Sequence, residues 1–469
     1  MYKAILPQLK ESKSVSNLNI EFEIRLGNYE KTSGNKLAFT SGVSYEEFSR
    51  FFTYLEDNCK KVETENYLDI YCRELPQIYG YTVRNTIKGS GNIMDYCSKN
   101  TLPLKKKDAV SHQIKMTNGS IPRMDIDVYD IRLSVGGEIT FTNTDILKEL
   151  NIASSEELQT RIQNSEKQFR HKKRTSYISP DGFFRYDLTQ VKQVYNGNSL
   201  KYEKTLAESD IFKQAPIYEV EIEFIYKGKH DGNLTVFSKS EKTGVEIIIE
   251  NIILAMQIRQ DAELVLVKDE KYNVIKNFLS LYYFKDDATK EFNQYYMRRD
   301  KQYGRMFPGA KVSTLERVNL IKDSAAKNRK PYVYKDYTVT DKADGERFIL
   351  FVDRKGYVYL VDDRMNVLRT DIVSRNLDST MIDGEMVITF EKGIKVYNFY
   401  AFDILYYNSE KTYEYPLFPK TERDRDRSRF YKLESAIRNF QKADIPRISG
   451  ISIFNISAKN YRVINDEDV

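Results

Sequence analysis

The chain has 469 residues and little of what several common protein classes are built from. Its three cysteines, Cys59, Cys72 and Cys97, form no C-x-x-C pair, which argues against a disulfide framework and for a reducing compartment. Its three histidines, His112, His171 and His230, lie far from any cysteine pair, so a zinc site has little material. Neither charge sign dominates: Lys+Arg 73 against Asp+Glu 68 leaves +5, so any phosphate- or metal-binding site must come from local placement. No long apolar run is present. The most apolar stretch, 245–258, is interrupted by Glu250 and is too short to span a bilayer. The first residues lack a secretory apolar segment, so no membrane partner and an intracellular location are expected. What is present is a 41% hydrophobic chain with 35 Tyr and 25 Phe, enough to bury cores. At roughly 100–200 residues per domain, two to four domains are expected.

From about residue 20 to 226 the text reads as short alternating strands split by Gly, Asn, Ser and Asp turns, for example 67–72, 81–87, 125–135, 182–191 and 218–226. A Gly/Asp/Lys-rich break follows at 227–233. Then Val245, Ile248, Ile249, Ile252, Ile253 and Met256 fit one helix face, and Val274, Ile275, Phe278, Leu279 and Tyr282 another. Strand texture returns near Tyr337, with a turn at 354–356, and a helix is expected near 433–440.

The first strands alternate charge with apolarity. Glu21, Glu23 and Arg25 share one face while Phe22, Ile24 and Leu26 share the other. Glu219, Glu221 and Glu223 form a second column. Arg185, Asp187 and Thr189 form a third, Arg170, Lys172 and Arg174 a fourth, and Arg132 with Ser134 a fifth. Adjacent glutamate columns facing water would only repel. A closed barrel with a charged lumen uses all of them: carboxylates gather a hard divalent cation, and arginines and lysines clamp phosphates.

These motifs resemble the triphosphate tunnel metalloenzymes, and within them the RNA 5′-triphosphatases of fungal and large-DNA-virus capping enzymes. The resemblance implies an eight-stranded antiparallel tunnel that releases the γ-phosphate of a 5′-triphosphate RNA end with Mg²⁺ or Mn²⁺. It implies metal ligation by Glu21, Glu23 and Glu223, with Glu221 and Glu219 supporting the attacking water. It implies phosphate binding by Arg132, Lys172, Arg174 and Arg185, with Asp187 orienting water or an arginine; Arg25 fits the same wall.

In the second half, Lys342-Ala343-Asp344-Gly345-Glu346-Arg347 places a lysine between strands beside a tight Asp-Gly step. Such a lysine can be a covalent nucleophile if it loses its proton, and neighbouring cations such as Arg347 would lower its pKa. The segments around Asp383-Gly384-Glu385 and Phe402-Asp403 follow in order. Together these resemble three motifs of the covalent nucleotidyltransferases, the mRNA guanylyltransferases and polynucleotide ligases. The resemblance implies that Lys342 forms a lysyl–NMP intermediate, that Arg347 and Glu385 contact ribose, phosphate or metal, and that Phe402 stacks on the base. Asp363-Arg364 resembles a further nucleotide-contacting segment.

The family's later carboxylate motif, lysine pair and OB-fold find no counterpart in 403–469. The expectation is an α+β chain: a tunnel over 1–230, a helical connector over 231–310, and over 311–469 an α/β nucleotidyltransferase domain of the ATP-grasp-like ligase and guanylyltransferase kind, truncated before those elements. A separate chain would then supply the rest of the guanylyltransferase and a methyltransferase. A triphosphatase makes the diphosphate RNA end that guanylyl transfer needs, which favours a capping enzyme with GTP as substrate over a ligase. The order of modules resembles poxvirus- and mimivirus-like capping enzymes, implying a viral product in host cytoplasm or virion. An ATP-dependent ligase-like enzyme, a polyphosphatase and a non-catalytic RNA-end-binding subunit stay open as alternatives.

Overall fold

The computed structural model describes residues 18–31, 37–116, 123–196, 199–225, 244–283, 307–320, 333, 337–391, 394–442 and 453–463. They fall into two compact units, Met1–Asp261 and Ala262–Val469.

The first unit is built on eight strands: β1 (Leu18–Leu26), β2 (Lys60–Cys72), β3 (Arg84–Lys88), β4 (Val110–Met116), β5 (Ile131–Phe141), β6 (Lys167–Ile178), β7 (Phe184–Gln193) and β8 (Ile217–Phe224). They pair in the ring β1-β8-β7-β6-β2-β3-β4-β5 and back to β1, every pairing antiparallel. Alternation along each strand sends one set of side chains into the lumen and the other outward. The outward set is the apolar one. Leu68, Ile70, Ile87, Ile114, Ile139 and Phe169 are buried under three helices: α2 (Ser90–Lys99), α3 (Asn143–Glu149) and α4 (Ser155–Asn164). A further helix, α1 (Tyr45–Asn58), buries Phe48, Phe51 and Leu55 and packs on β2, β7 and β8. It begins at a capping box: Glu47 N–H donates to Ser44 Oγ (3.1 Å), and Ser44 N–H donates to Glu47 Oε2 (2.8 Å).

The sequence pattern and the structure differ in places. The single strand expected over 125–135 is divided. Arg123–Ile126 is followed by one 3₁₀ turn, Asp127–Tyr129, and by Asp130 at φ 55, and β5 starts after that break. Gly89, at φ 93, caps the start of helix α2. Of the stripe expected, helix α5 (Gly244–Gln260) buries Met256, leaves Ile248, Ile252 and Ile253 partly buried and Ile249 half exposed, and it buries Ile247, Asn251, Ala255, Ile258 and Arg259 besides. Polar anchors set this rotation: Asn251 donates to Tyr186 Oη (2.5 Å) and Arg259 to Glu47 (2.6 Å). Tyr226 and the break at 227–233 lie outside the described residues.

The second unit holds a sheet of β9 (Glu346–Val352), β10 (Tyr357–Asp362), β11 (Val367–Ser374), β12 (Thr380–Glu391) and β13 (Ile394–Tyr407), in the order β13-β12-β9-β10-β11 with antiparallel neighbours. A later strand, β14 (Ile453–Ala458), runs parallel beside β13. One face of the sheet packs Ile349, Phe351 and Tyr359 against Val274, Ile275, Phe278 and Leu279 of α6 (Lys268–Tyr282). The other packs Leu350, Leu360 and Ile382 against Leu433 and Ala436 of α7 (Arg429–Arg438). The two helices between the strand-rich halves thus divide, α5 with the first unit and α6 with the second. Among the described residues no helix is long and apolar enough to cross a membrane.

Candidate active sites

Inside the tunnel, register decides which charges meet. Glu23 lies directly opposite Glu223, Arg25 opposite Glu221, and Arg185 opposite Glu223. Lys115 from β4 reaches across to Glu21 (3.2 Å) and Glu23 (2.5 Å). Arg25 pairs with Glu23 (2.8 Å) and Glu221 (3.2 Å), and Arg174 with Glu221 (3.0 Å) and Asp187 (3.0 Å). Arg185 bridges Asp187 (3.1 Å) and Glu223 (2.5 Å), and Arg170 holds Glu219 (2.6 Å). Lys172 is buried against Asp69 (2.6 Å), and Arg84 pairs with Glu138 (2.7 Å).

This network sorts the carboxylates. Burial pushes Glu223 up to about 7, with Glu21, Asp187 and Glu23 adding to the push while Arg185 resists it. Burial likewise raises Glu21 against the pull of Lys115. Glu221 is also buried, but Arg25 and Arg174 outweigh that and hold it well below the usual carboxylate range. Burial lowers Lys172 to about 8 although Asp69 opposes the shift. Two sorts of acid result: Glu221 is held as an anion between Arg25 and Arg174, whereas burial raises Glu21 and Glu223, which with Glu23 supply carboxylate oxygens to one lumen.

That donor set has the chemistry of a hard divalent cation's ligands. Among the described residues, no three acidic, histidine or cysteine side chains already stand at metal-holding distance from one another. The protein's own cations, Lys115, Arg25 and Arg185, take up the glutamate oxygens instead.

Of the residues singled out in the sequence, Glu21, Glu23, Glu221, Glu223, Lys172, Arg174, Arg185 and Asp187 all enter this lumenal network. Arg132 is linked differently: it pairs with Asp125 (2.8 Å) and lies over the ring of Phe39 (4.5 Å). The sequence reading missed Asp69, Arg84, Lys115 and Glu138. Asp69, Lys115 and Glu138 sit in alternating runs, such as Tyr67-Leu68-Asp69-Ile70-Tyr71, whose polar face could have been read like the glutamate columns; Arg84 opens three successive polar residues, Arg84-Asn85-Thr86, which carry no such pattern.

In the second unit, Lys342 lies just before β9 and is largely exposed, paired with Asp344. The hydrogen bond to Asp344 raises the lysine's pKa. The expected depression by Arg347 is not found, because Arg347 is itself neutralised by Asp383 through Nε–Oδ1 (2.9 Å) and Nη2–Oδ2 (2.6 Å). Gly345 permits a close approach: a Cβ there would sit 2.3 Å from the carbonyl oxygen of Met386, and its N–H donates to Glu385 Oε1 (3.0 Å). Phe402 faces two cations, Arg347 (5.9 Å) and Lys459 (5.6 Å). Arg364 stands in the exposed turn after β10, where its N–H donates to Asp362 (2.9 Å).

Lys459, just past β14, was not assigned from the sequence. Its ammonium donates to the carbonyl of Asp341 (3.2 Å) and approaches Glu385 (3.4 Å), so it stands beside the Lys342 segment. The signal was weak, a single lysine in Ser457-Ala458-Lys459-Asn460. Only the parallel pairing of β14 with β13 brings it in.

Comparison with known proteins separates the two units in the same way. The family model for the mRNA capping enzyme beta chain, the mRNA triphosphatase, matches residues 105–254. The model for the mRNA capping enzyme catalytic domain matches residues 279–465. No curated protein matches the chain. Among solved structures, the RNA triphosphatase domain of a trifunctional mimivirus capping enzyme is 19% identical, with a TM-score of 0.35 and coverage of 55% of this chain and 97% of that one. The Schizosaccharomyces pombe RNA triphosphatase Pct1 is 14% identical, with a TM-score of 0.31 and coverage of 54% and 91%. A putative adenylyl cyclase from Hippeastrum with dominant triphosphatase activity is 9% identical, with a TM-score of 0.24 and coverage of 50% and 86%. TM-scores this low carry no argument about function; the two family models do, and by them this chain joins two mRNA capping enzyme domains in tandem, a triphosphatase domain followed by a catalytic, guanylyltransferase domain.

Proposed function

We propose that the tunnel hydrolyses the γ-phosphate of a 5′-triphosphate RNA end with Mg²⁺ or Mn²⁺, and that the second unit then transfers GMP from GTP to the resulting diphosphate end. The observation that carries this reading is one lumen in which Glu21, Glu23 and Glu223 face Lys115, Arg174 and Arg185. Glu21, Glu23 and Glu223 would hold the cation, which neutralises phosphate charge and makes a bound water more acidic. Arg174, Arg185 and Lys172 bind the phosphates and stabilise charge on the departing phosphoryl group. Asp187 contacts both Arg174 and Arg185 and fixes their aim. Arg132 would meet the RNA away from that network, on the Asp125 and Phe39 side.

In the second unit, Lys342 Nζ, once deprotonated, attacks the α-phosphorus of GTP. An N–P bond forms, the bond to the bridging oxygen breaks, and pyrophosphate leaves. Lys459 supports the α-phosphate, Arg347, Glu385 and Arg364 hold ribose and phosphates, and Phe402 stacks on guanine. A further chain supplying methyl transfer, and a viral setting in host cytoplasm or virion, fit the same reading.

The test uses the full chain. Triphosphate RNA labelled at the γ-position should release labelled phosphate only with a divalent cation, and α-labelled GTP should leave label on Lys342 where ATP does not. No cation-dependent phosphate release from folded protein would overturn the tunnel assignment, and exclusive labelling by ATP would overturn capping in favour of ligation.

A further inference from the structure

Arg347 is held by more than its carboxylate partner. A guanidinium has five N–H donors in a planar fork. Asp383 takes two of them, through Nε and Nη2. A third, on Nη1, goes to the carbonyl of Ala310 at 2.7 Å. The ring of Phe307 lies 5.4 Å from the guanidinium carbon and that of Phe402 5.9 Å. Between Phe307 and Ala310 the backbone passes so close that a Cβ on Gly309 would sit 2.6 Å from Nη2, 3.1 Å from the guanidinium carbon and 2.5 Å from the Phe307 ring. Pro308 is buried and Phe307 packs on the core beneath the sheet, so the segment has a fixed seat.

We propose that Phe307-Pro308-Gly309-Ala310 is a bracket for the nucleotide site. It fixes Arg347 so that its two remaining N–H groups, one on each terminal nitrogen, face the nucleotide. Gly309 is a positioning residue, because a side chain there would push Arg347 off its seat. This rests on the guanylyltransferase reading of the second unit. Asp383 alone leaves the guanidinium free to tilt about the two-bond axis. The Ala310 carbonyl and the close Gly309 backbone remove that freedom before the nucleotide arrives, so less ordering is needed on binding. The nucleotide oxygens then meet a preset fork.

The experiment compares the wild-type chain with Gly309→Ala and Gly309→Val for GTP KM and for the rate of lysyl-GMP formation. Triphosphate hydrolysis by the first unit and thermal unfolding serve as folding checks. Gly309→Ala should raise KM for GTP about tenfold, the scale of one lost well-aligned charged hydrogen bond, and Gly309→Val should raise it further. To separate positioning from general damage, Gly309→Ala is also made in an Arg347→Ala background and GTP affinity is measured by equilibrium binding. There it should change affinity less than about twofold, since residues that act through one another are non-additive. Equal fold losses in both backgrounds would overturn the proposal, as would an unchanged KM in Gly309→Val. If the wild-type chain itself forms no lysyl-GMP and binds no GTP, the guanylyltransferase reading fails and takes this inference with it.

Discussion

Glu23 on β1 and Glu223 on β8 are direct cross-strand partners, and the strand alternation turns both carboxylates into the same lumen. Like charges so placed oppose each other by up to about 1 kcal/mol, and a barrel gains nothing from that unless something positive comes between them. In the structure Lys115, Arg25 and Arg185 do this; under the proposed function a divalent cation would. Glu23→Gln keeps the shape and removes one charged ligand. Phosphate release should fall by about two to three orders of magnitude, the scale of losing one element of transition-state charge stabilisation. Labelling of Lys342 by GTP should be unchanged. Residual hydrolysis above a tenth of wild type in a folded variant would remove Glu23 from the metal site.

Lys115 occupies the space between Glu21 and Glu23 in the chain alone. An incoming cation competes with that ammonium for the same oxygens. Lys115→Met should therefore tighten Mn²⁺ binding in the absence of RNA by about tenfold, taking the pair as one partly buried charge contact, while phosphate release falls. Calorimetric titration with Mn²⁺ measures the first effect, and chelation should return both proteins to the same unbound state. Weaker Mn²⁺ binding in the variant would mean that Lys115 shapes the site rather than competing for it.

Much of this was legible in the sequence because the charge columns have period two. Five such columns fall on walls of one barrel, and Glu23, Glu223 and Arg185 meet as their register requires. Partners on other strands were not legible. Nothing in the spacing of Lys115 or Asp69 says that they face Glu23 or Lys172, since that depends on ring closure through β5 and β6. The face of α6 was legible, and Val274, Ile275, Phe278 and Leu279 are all buried; that of α5 was only partly so, because Asn251 and Arg259 anchor the helix to Tyr186 and Glu47. Lys459 stayed invisible because its place is set by a parallel strand that joins the sheet late in the chain.

Lys172 supplies a pH prediction. Its ammonium is buried against Asp69, and burial brings it down to about 8 from 10.5. The folded chain thus holds this proton less tightly than the unfolded chain, so between about pH 8 and 10.5 this group adds stability as pH rises. Phosphate binding runs the other way, because it needs the charged form. Triphosphate hydrolysis should decline above about pH 8. Lys172→Arg, which stays protonated, should move that decline to higher pH. A pH–rate profile with the same alkaline limb in both proteins would assign the limb to another group.

Lys459 offers a test in the second unit. It is the one cation seen to contact both the backbone of the nucleophile's segment, at Asp341, and the carboxylate Glu385 among the described residues. Lys459→Ala should cut the rate of lysyl-GMP formation by about a hundredfold, the scale of removing one transition-state electrostatic contact. The main effect should fall on kcat, with triphosphate hydrolysis unchanged. A pure KM effect would restrict the residue to ground-state nucleotide binding.

Arg259 closes the tunnel from outside. It is 7% exposed and donates to Glu47 (2.6 Å), to the carbonyl of Gly27 (2.9 Å), and to those of Tyr129 and Asp130 (both 3.4 Å). Gly27 and Asp130 are themselves joined across the β1–β5 seam, N–H to carbonyl at 3.0 Å. One guanidinium on α5 thereby ties α1, the end of β1 and the turn before β5 together, next to the strand that carries Glu21 and Glu23. Arg259→Met would leave the partly buried Glu47 without its counter-charge and the carbonyls without a donor. The cost should be about 2–3 kcal/mol, below the range for breaking one side of a fully buried pair because Glu47 keeps some solvent and the Ser44 N–H. Thermal inactivation of triphosphate hydrolysis should then occur at lower temperature, while the GMP-labelling activity of the second unit keeps its wild-type profile. Adding Glu47→Gln should recover part of the loss, because the stranded charge is gone. If the single variant inactivates at the wild-type temperature, the seam holds without α5, and Arg259 merely decorates it.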